Sequence, residues 1–359
     1  MSSTATGQPS NFLIVVADDL GYSDLGCFGS EIHTPHLDKL AREGVRMESF
    51  YCAPFCSPSR AMLHTGLDAH LVGFGALKEV MDPRQAGKPG YEMYLNGCAP
   101  TLAERLKGAG YRSYLTGKWH LGRDSGHGPH ARGFDRSYGL MDGSASHFDA
   151  TATWSNDPAH VPQALFMEDD QPFSLPKGPF YSSQAYADRT IRYLREHRCQ
   201  DGPFFACLNF TAPHFPLHAP DEYIARYRGR YGDGYEAIRQ QRHRRQQALG
   251  LQVPPELPPL SPVWPTWNSL SAEIRTLEER HMEVYAAMVE CMDHHFGRVF
   301  RALEEIGQLD NTLIIFMSDN GAEGNSVLDT ARTRDWVRQQ MNNSLDNRGR
   351  PGSFIEQGP

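Results

Sequence analysis

The sequence predicts an α/β domain built on a mixed, mostly parallel sheet sandwiched between helices. Three observations point there. Apolar runs of strand length recur, as in NFLIVVA (11–17), PFFACLNFTA (203–212) and the start of TLIIFMSDN (312–320). Segments with helical periodicity separate them. The runs are near-continuous rather than alternating, which is how strands covered on both faces read.

Taken in order, NFLIVVA ends at Asp18 and Asp19. TPHLDKLAREG (34–44) reads as a helix, with Thr34 as N-cap, Pro35 at the first helical position and Gly44 at the stop. CSPSRAMLHTG (56–66) has Ser57 and Pro58 suited to a helix start and Gly66 to its end. TLAERLKGAG (101–110) is a helix and YRSYLT (111–116) a strand. A helix is expected over 182–198, a buried strand over 203–212, a long helix over 271–307 and a buried strand over 312–320.

Composition narrows the function. The 359 residues suffice for one large domain or two ordinary ones, and 40% hydrophobic with 22% charged residues is a globular balance. A formal net charge of −8, from 35 basic and 43 acidic side chains, argues against general nucleic-acid binding. The basic run from Arg226 to Gln247 reads as a solvated helix face. No uncharged apolar run approaches the ~18 residues of a membrane span, so no membrane partner is expected. Residues 1–10 read as a disordered tail without the basic-then-apolar pattern of a secretory leader. Seven cysteines form no C-x-x-C pair. A reducing, cytoplasmic location is expected, with Cys207 in the core and Cys52 structural.

In parallel sheets, sites lie beyond the carboxyl ends of the strands. Polar residues follow the apolar runs here: Asp18 and Asp19, Lys118 and His120, His214, then Asp319 and Asn320. Parallel strands would bring them to one rim. Cys56 stands at a helix N-terminus, where free N–H groups and the dipole favour an anion, and Arg60 lies on the same side. With three residues between them, the phosphatase arrangement C-x5-R does not fit. Lys118 and His120, two apart, would point the same way in an extended segment. The histidines outside these motifs are read as surface.

CSPSR with AMLHTG (56–66) resembles the first signature of the sulfatase family, C-x-P-S-R, and GYRSYLTGKWH (110–120) resembles the second. ADDLGYSDLGCFG and MSDNGAEG resemble the family's metal-binding segments, and HGPHARGFDRSYG and TAPHFPLHAP are also similar to sulfatase stretches. The likeness runs from about Asn11 to the end of the chain and is greatest to bacterial-type arylsulfatases. It implies an alkaline phosphatase-like fold and hydrolysis of sulfate monoesters. The motif cysteine, Cys56, would be oxidised to formylglycine by a formylglycine-generating enzyme that reads Pro58 and Arg60. One hydroxyl of the aldehyde hydrate attacks sulfur and displaces the alcohol; the other expels sulfate. The resemblance further implies that Lys118 binds sulfate and nucleophile, that His120 acts as base, and that His214 serves the leaving oxygen, with His218 a weaker candidate. Asp18, Asp19, Asp319 and Asn320 offer oxygen ligands, suited to Ca2+ or Mg2+ rather than zinc. The resemblance favours calcium, with residue 56 completing the sphere. Each acidic pair alone equally suits a turn or cap.

One departure bears on activity. Such sulfatases carry a second active-site lysine after the DNG segment, then further strands and a smaller C-terminal domain. No lysine follows Lys177. The expectation is therefore a catalytic domain over 11–340, a truncated lead-in over 341–359 and a missing C-terminal subdomain. Two alternatives stand beside the arylsulfatase reading. One is a phosphonate monoester hydrolase or phosphodiesterase of the same superfamily; the other is an inactive fragment that keeps metal or anion binding.

Overall fold

The computed structural model describes residues 9–356, except 125, 154–161, 177, 198–201, 261–264 and 325–330. Most of the expected tail, Lys177 and Cys199 lie outside the described residues. A seven-stranded sheet forms the centre. Its strands are β1 (Asn11–Asp18), β2 (Arg112–Gly117), β3 (Arg136–Leu140), β4 (Phe166–Glu168), β5 (Gln171–Pro172), β6 (Phe204–Pro213) and β7 (Thr312–Ser318), in the order β5-β4-β3-β2-β6-β1-β7. The five strands from β3 to β7 in that order run parallel, and β4 and β5 extend the sheet antiparallel.

Helices cover both faces. They are α1 (Pro35–Glu43), α2 (Cys56–Thr65), α3 (Leu102–Gly108), α4 (Ser182–Glu196), α5 (Asp221–Tyr227), α6 (Tyr235–Ala248), α7 (Ala272–Glu305) and α8 (Ala331–Gln340). Strand side chains alternate between two cores. Leu13, Val15, Phe204, Ala206 and Leu208 join the core that holds α4 and α7; Ile14, Val16, Leu115, Phe205 and Cys207 join the one beneath α2 and α3. All ten residues of β6 are buried, as a central strand covered twice requires. No helix among the described residues is long and apolar enough to cross a membrane.

Four local expectations are corrected. β7 is not a buried strand: Leu313 and Ile315 are 53% and 42% exposed, because among the described residues β7 is the sheet edge and pairs with β1 alone. The basic run is not wholly solvated, since Arg242 of α6 turns inward to Glu31 at 2.7 Å and to Asp24. Cys52, expected to be structural, is free and exposed. His64, His147, His243 and His295 are buried rather than superficial. The strands β3 to β5 and helix α5 carry little apolar periodicity, and sequence reading passed over them.

Thr34 precedes α1 as expected but does not cap it by its side chain; its hydroxyl donates to Asp38 and accepts from the Gly26 N–H. The first α1 donors, the N–H groups of His36 and Leu37, go instead to the Asp293 carboxylate of α7. Burial raises the pKa of Asp293 to about 7 against the pull of those N–H groups. The folded value lies above the unfolded one, so the stabilising contribution is complete below about pH 4 and lost as pH rises through 7. Thermal melts of wild type and Asp293→Asn between pH 4 and 8 should show the wild type's relative stability falling over that window. A pH-independent difference would refute the linkage.

Candidate active site

The carboxyl ends of β1, β2, β6 and β7 meet on one rim, and the polar residues that follow them converge there. Lys118 leaves β2 immediately after Gly117, and its N–H donates to the Asn209 carbonyl at 2.9 Å. Gly117 has φ 100°, and a Cβ there would lie 1.8 Å from the Asn209 oxygen, so only glycine permits this approach of β2 to β6. The fully buried Lys118 Nζ donates to both oxygens of Asp18, at 2.8 and 2.7 Å. Arg60 is equally buried on α2. Its Nε donates to Asp319 Oδ2 at 2.9 Å, Nη1 to the Lys118 carbonyl at 3.0 Å, and Nη2 lies 3.4 Å from Asp18. The guanidinium thus ties β1, β2 and β7 together.

Lys118 and His120 do not share a strand face. His120 has φ 54°, in the left-handed region, and the chain turns there. The ring is sandwiched: Nδ1 lies 3.3 Å from Cys56 Sγ, and Nε2 is 3.6 Å from Glu79. Gly143 makes room, since a Cβ on it would meet the His120 ring at 2.6 Å. Ser57 Oγ donates to the His120 carbonyl at 3.0 Å and holds the turn. Burial opposes a charge on His120, but Cys56 and Glu79 outweigh it and raise its pKa to about 9. Glu79 is held down to about 2 by His120, also against burial. Sequence reading missed Glu79; it sits in a short 3-10 turn, Lys78–Val80, with no motif to mark it.

His214 follows β6. Its Nδ1 donates to the Phe215 carbonyl at 2.6 Å, leaving Nε2 to face Asp19 Oδ2 at 3.5 Å. Burial holds its pKa below the usual range, although Asp18 pulls the other way. His218 is directed away: Nε2 donates to the Ser353 carbonyl at 2.9 Å and Nδ1 accepts the His147 N–H.

The carboxylates make a concentrated negative site. Asp18, Cys56 and Asp319 each bring a donor atom within 4.8 Å of the others, and so do Asp18, Asp19 and His214. Burial raises Asp19 well above its usual range, and the charges of Asp18 and Asp319 raise it further. Burial also raises Asp319, against Arg60. Asp18 stays low because Lys118, His214 and Arg60 outweigh burial. Asn320 donates to Asp19, and its Oδ1 is buried with no partner. Carboxylate and amide oxygens crowded in this way fit a hard divalent cation, which would relieve the repulsion and use the orphaned oxygen.

A doubly covered α/β sheet with an oxygen-donor cluster, two buried cations and a helix N-terminus on one rim defines a site suited to a metal ion and an anion. The family model for sulfatases matches residues 10–347, and the chain belongs to the sulfatase family. It is 45% identical to an uncharacterized sulfatase of Schizosaccharomyces pombe, over 99% of this chain and 65% of that one. It is 39% identical to an arylsulfatase of Klebsiella aerogenes, over 99% of this chain and 75% of that one. The chain therefore spans about two thirds to three quarters of the length of these two relatives. Among solved structures, Ps i-CgsB superposes with TM-score 0.64 at 25% identity, over 97% of this chain and 64% of that one. The same protein in complex with k-i-k-neocarrahexaose gives 0.63 at 26%, over 88% and 59%. The fold is thus the alkaline phosphatase-like one expected. Sulfatases in general use a metal and a formylglycine.

Replacing Lys118 by methionine leaves Asp18 buried beside two other carboxylates. Loss of one partner of a buried pair costs about 3–5 kcal/mol. Denaturant unfolding should show a loss of that size, and a change below about 1 kcal/mol would mean the pair contributes no net stability.

Proposed function

We propose that this chain carries the hydrolytic centre of an arylsulfatase-type enzyme, which cleaves sulfate monoesters of aryl alcohols after conversion of Cys56 to formylglycine. One observation carries the reading: Cys56 stands at the first turn of α2, 3.3 Å from His120, within the ring formed by Asp18, Asp319, Lys118 and Arg60. Cys56 Sγ stands in for the oxygen of the modified residue. Formylglycine supplies, as its hydrate, the attacking hydroxyl. The ion held by Asp18, Asp19, Asp319, Asn320 and residue 56 supplies positive charge against the sulfate oxygens; calcium suits the all-oxygen protein set, and magnesium is the alternative.

The side chains divide the remaining work. Lys118 adds a buried positive charge where the sulfate sits, and it is held ready by Asp18. Arg60 orients Asp319 and the Lys118 peptide. His120 holds or removes the proton at the residue-56 oxygen through Nδ1, with Glu79 balancing its charge. His214 presents Nε2 to the leaving oxygen and can hold or deliver its proton. The partner that installs formylglycine is a formylglycine-generating enzyme reading CSPSR. The free state of all six described cysteines supports a reducing, cytoplasmic compartment.

Co-expression with a formylglycine-generating enzyme should give a residue-56 peptide that has lost sulfur and gained an aldehyde oxygen by mass spectrometry. The product should hydrolyse aryl sulfates. Cys56→Ala should lower turnover by about 10³-fold or more, and Cys52→Ala should leave it unchanged. A plain thiol from a competent host, or faster turnover of aryl phosphonates than of sulfates, would overturn the reading.

Metal removal gives a separate check. An ion present at about 100 times its Kd stabilises the fold by about 2.7 kcal/mol. Chelation should therefore lower the melting temperature, with calcium restoring it. A metal-free preparation whose melting temperature and activity are unchanged would reject the ligand set.

A further inference from the structure

We infer that His147 is a positioning residue for His214, holding the turn that presents it through a hydrogen-bond chain of one fixed direction. The inference rests on the hydrolytic reading above and adds a residue to it. His147 lies in the loop after β3 and is fully buried, with no place in the motifs of the site. Its Nε2 lies 3.0 Å from the His214 carbonyl oxygen. A carbonyl can only accept, so Nε2 carries the proton. The other ring nitrogen of a neutral imidazole is then a bare acceptor, and Nδ1 takes the hydroxyl proton of Ser182 at 2.7 Å. Ser182 Oγ in turn accepts from Thr211 Oγ1 at 3.3 Å. Thr211 Oγ1 also lies 3.4 Å from His147 Nδ1, so both hydroxyls converge on the acceptor side of the ring while its donor side holds the His214 carbonyl.

Thr211 and His214 belong to one short turn and are also joined directly, His214 N–H to Thr211 carbonyl at 3.0 Å. The Ser182–His147 bridge therefore brackets the turn from the hydroxyl of its first residue to the carbonyl of its last. His147 is itself anchored on both sides, its N–H on His218 Nδ1 and its carbonyl on the Ser182 N–H at 2.8 Å. Burial and the neighbouring His218 hold its pKa near 3, so the ring stays neutral at working pH and the polarity of the chain does not reverse.

The test uses the full chain with verified formylglycine and a series of aryl sulfates whose phenols range from good to poor leaving groups. His147→Gln keeps an N–H near the Nε2 position and should stay within about threefold of wild type throughout. His147→Phe removes the donor. Because His214 serves the leaving oxygen, this variant should lose about 10²-fold in kcat on the poorest leaving groups, much less on the best, with little change in KM. An equal loss across the series, or a glutamine variant no better than phenylalanine, overturns the assignment. A second measurement is independent of turnover. Nitrogen-15 spectra of the histidine rings should show His147 protonated at Nε2 and bare at Nδ1 from pH 6 to 9; the opposite tautomer overturns the proposal. If wild type turns over no aryl sulfate while the spectra show the expected tautomer, the catalytic reading fails and the bracket on His214 stands.

Discussion

Lys118 between the two oxygens of Asp18, with Arg60 alongside on Asp319, is the interaction around which the molecule is arranged. Four ionised or ionisable groups from β1, α2, the end of β2 and the end of β7 share one buried volume. No single one of them could be buried alone, because an uncompensated charge in a protein interior costs several kcal/mol. Together they balance, and the balance requires that β1, β2 and β7 end at the same height. The parallel register of the sheet delivers that, with β6 between β1 and β2.

The same arrangement explains where the backbone departs from ordinary conformations. Among the described non-glycine residues, Asp19 and His120 are two of the five with positive φ. Asp19 directly follows β1, and His120 lies three residues beyond the end of β2; both turn a side chain into the rim. Such conformations persist when surrounding contacts over-determine them. Asp19 is held by its N–H to Asp319 and by Asn320, and His120 by Ser57, Cys56 and Glu79. Local cost is thereby spent on aiming, and the aim is at the position that residue 56 occupies.

Away from the rim, the segment after α8 folds back on the turn beyond β6. The N–H groups of Leu217 and Ala219 donate to the carbonyls of Ile355 and Gly349, and Trp336, Val337 and Phe354 form a small core. His218 belongs to this support rather than to the rim, because its Nε2 is engaged with Ser353. Identical residue types a few positions apart, His214 and His218, therefore do different things; only their partners distinguish them.

The sequence by itself determined the order of the long strands and helices and the polar residues that follow β1, β2, β6 and β7, because each is a local signal: an apolar run of strand length, a cap, a motif at a strand end. The short strands β3 to β5 and the exposed edge at β7 were not legible, since strand pairing and edge position are settled by neighbours distant in sequence. Tertiary structure alone decided which partners the polar groups take. Glu79 meets His120 across 41 positions and His147 meets His214 across 67, and no spacing rule spans such distances. His147 takes its role from burial in a low-dielectric interior, where a polar group must find a partner, whereas Glu79 sits at the surface end of the pair and is fixed by the His120 ring it meets. Which partner it finds is a property of the packed chain.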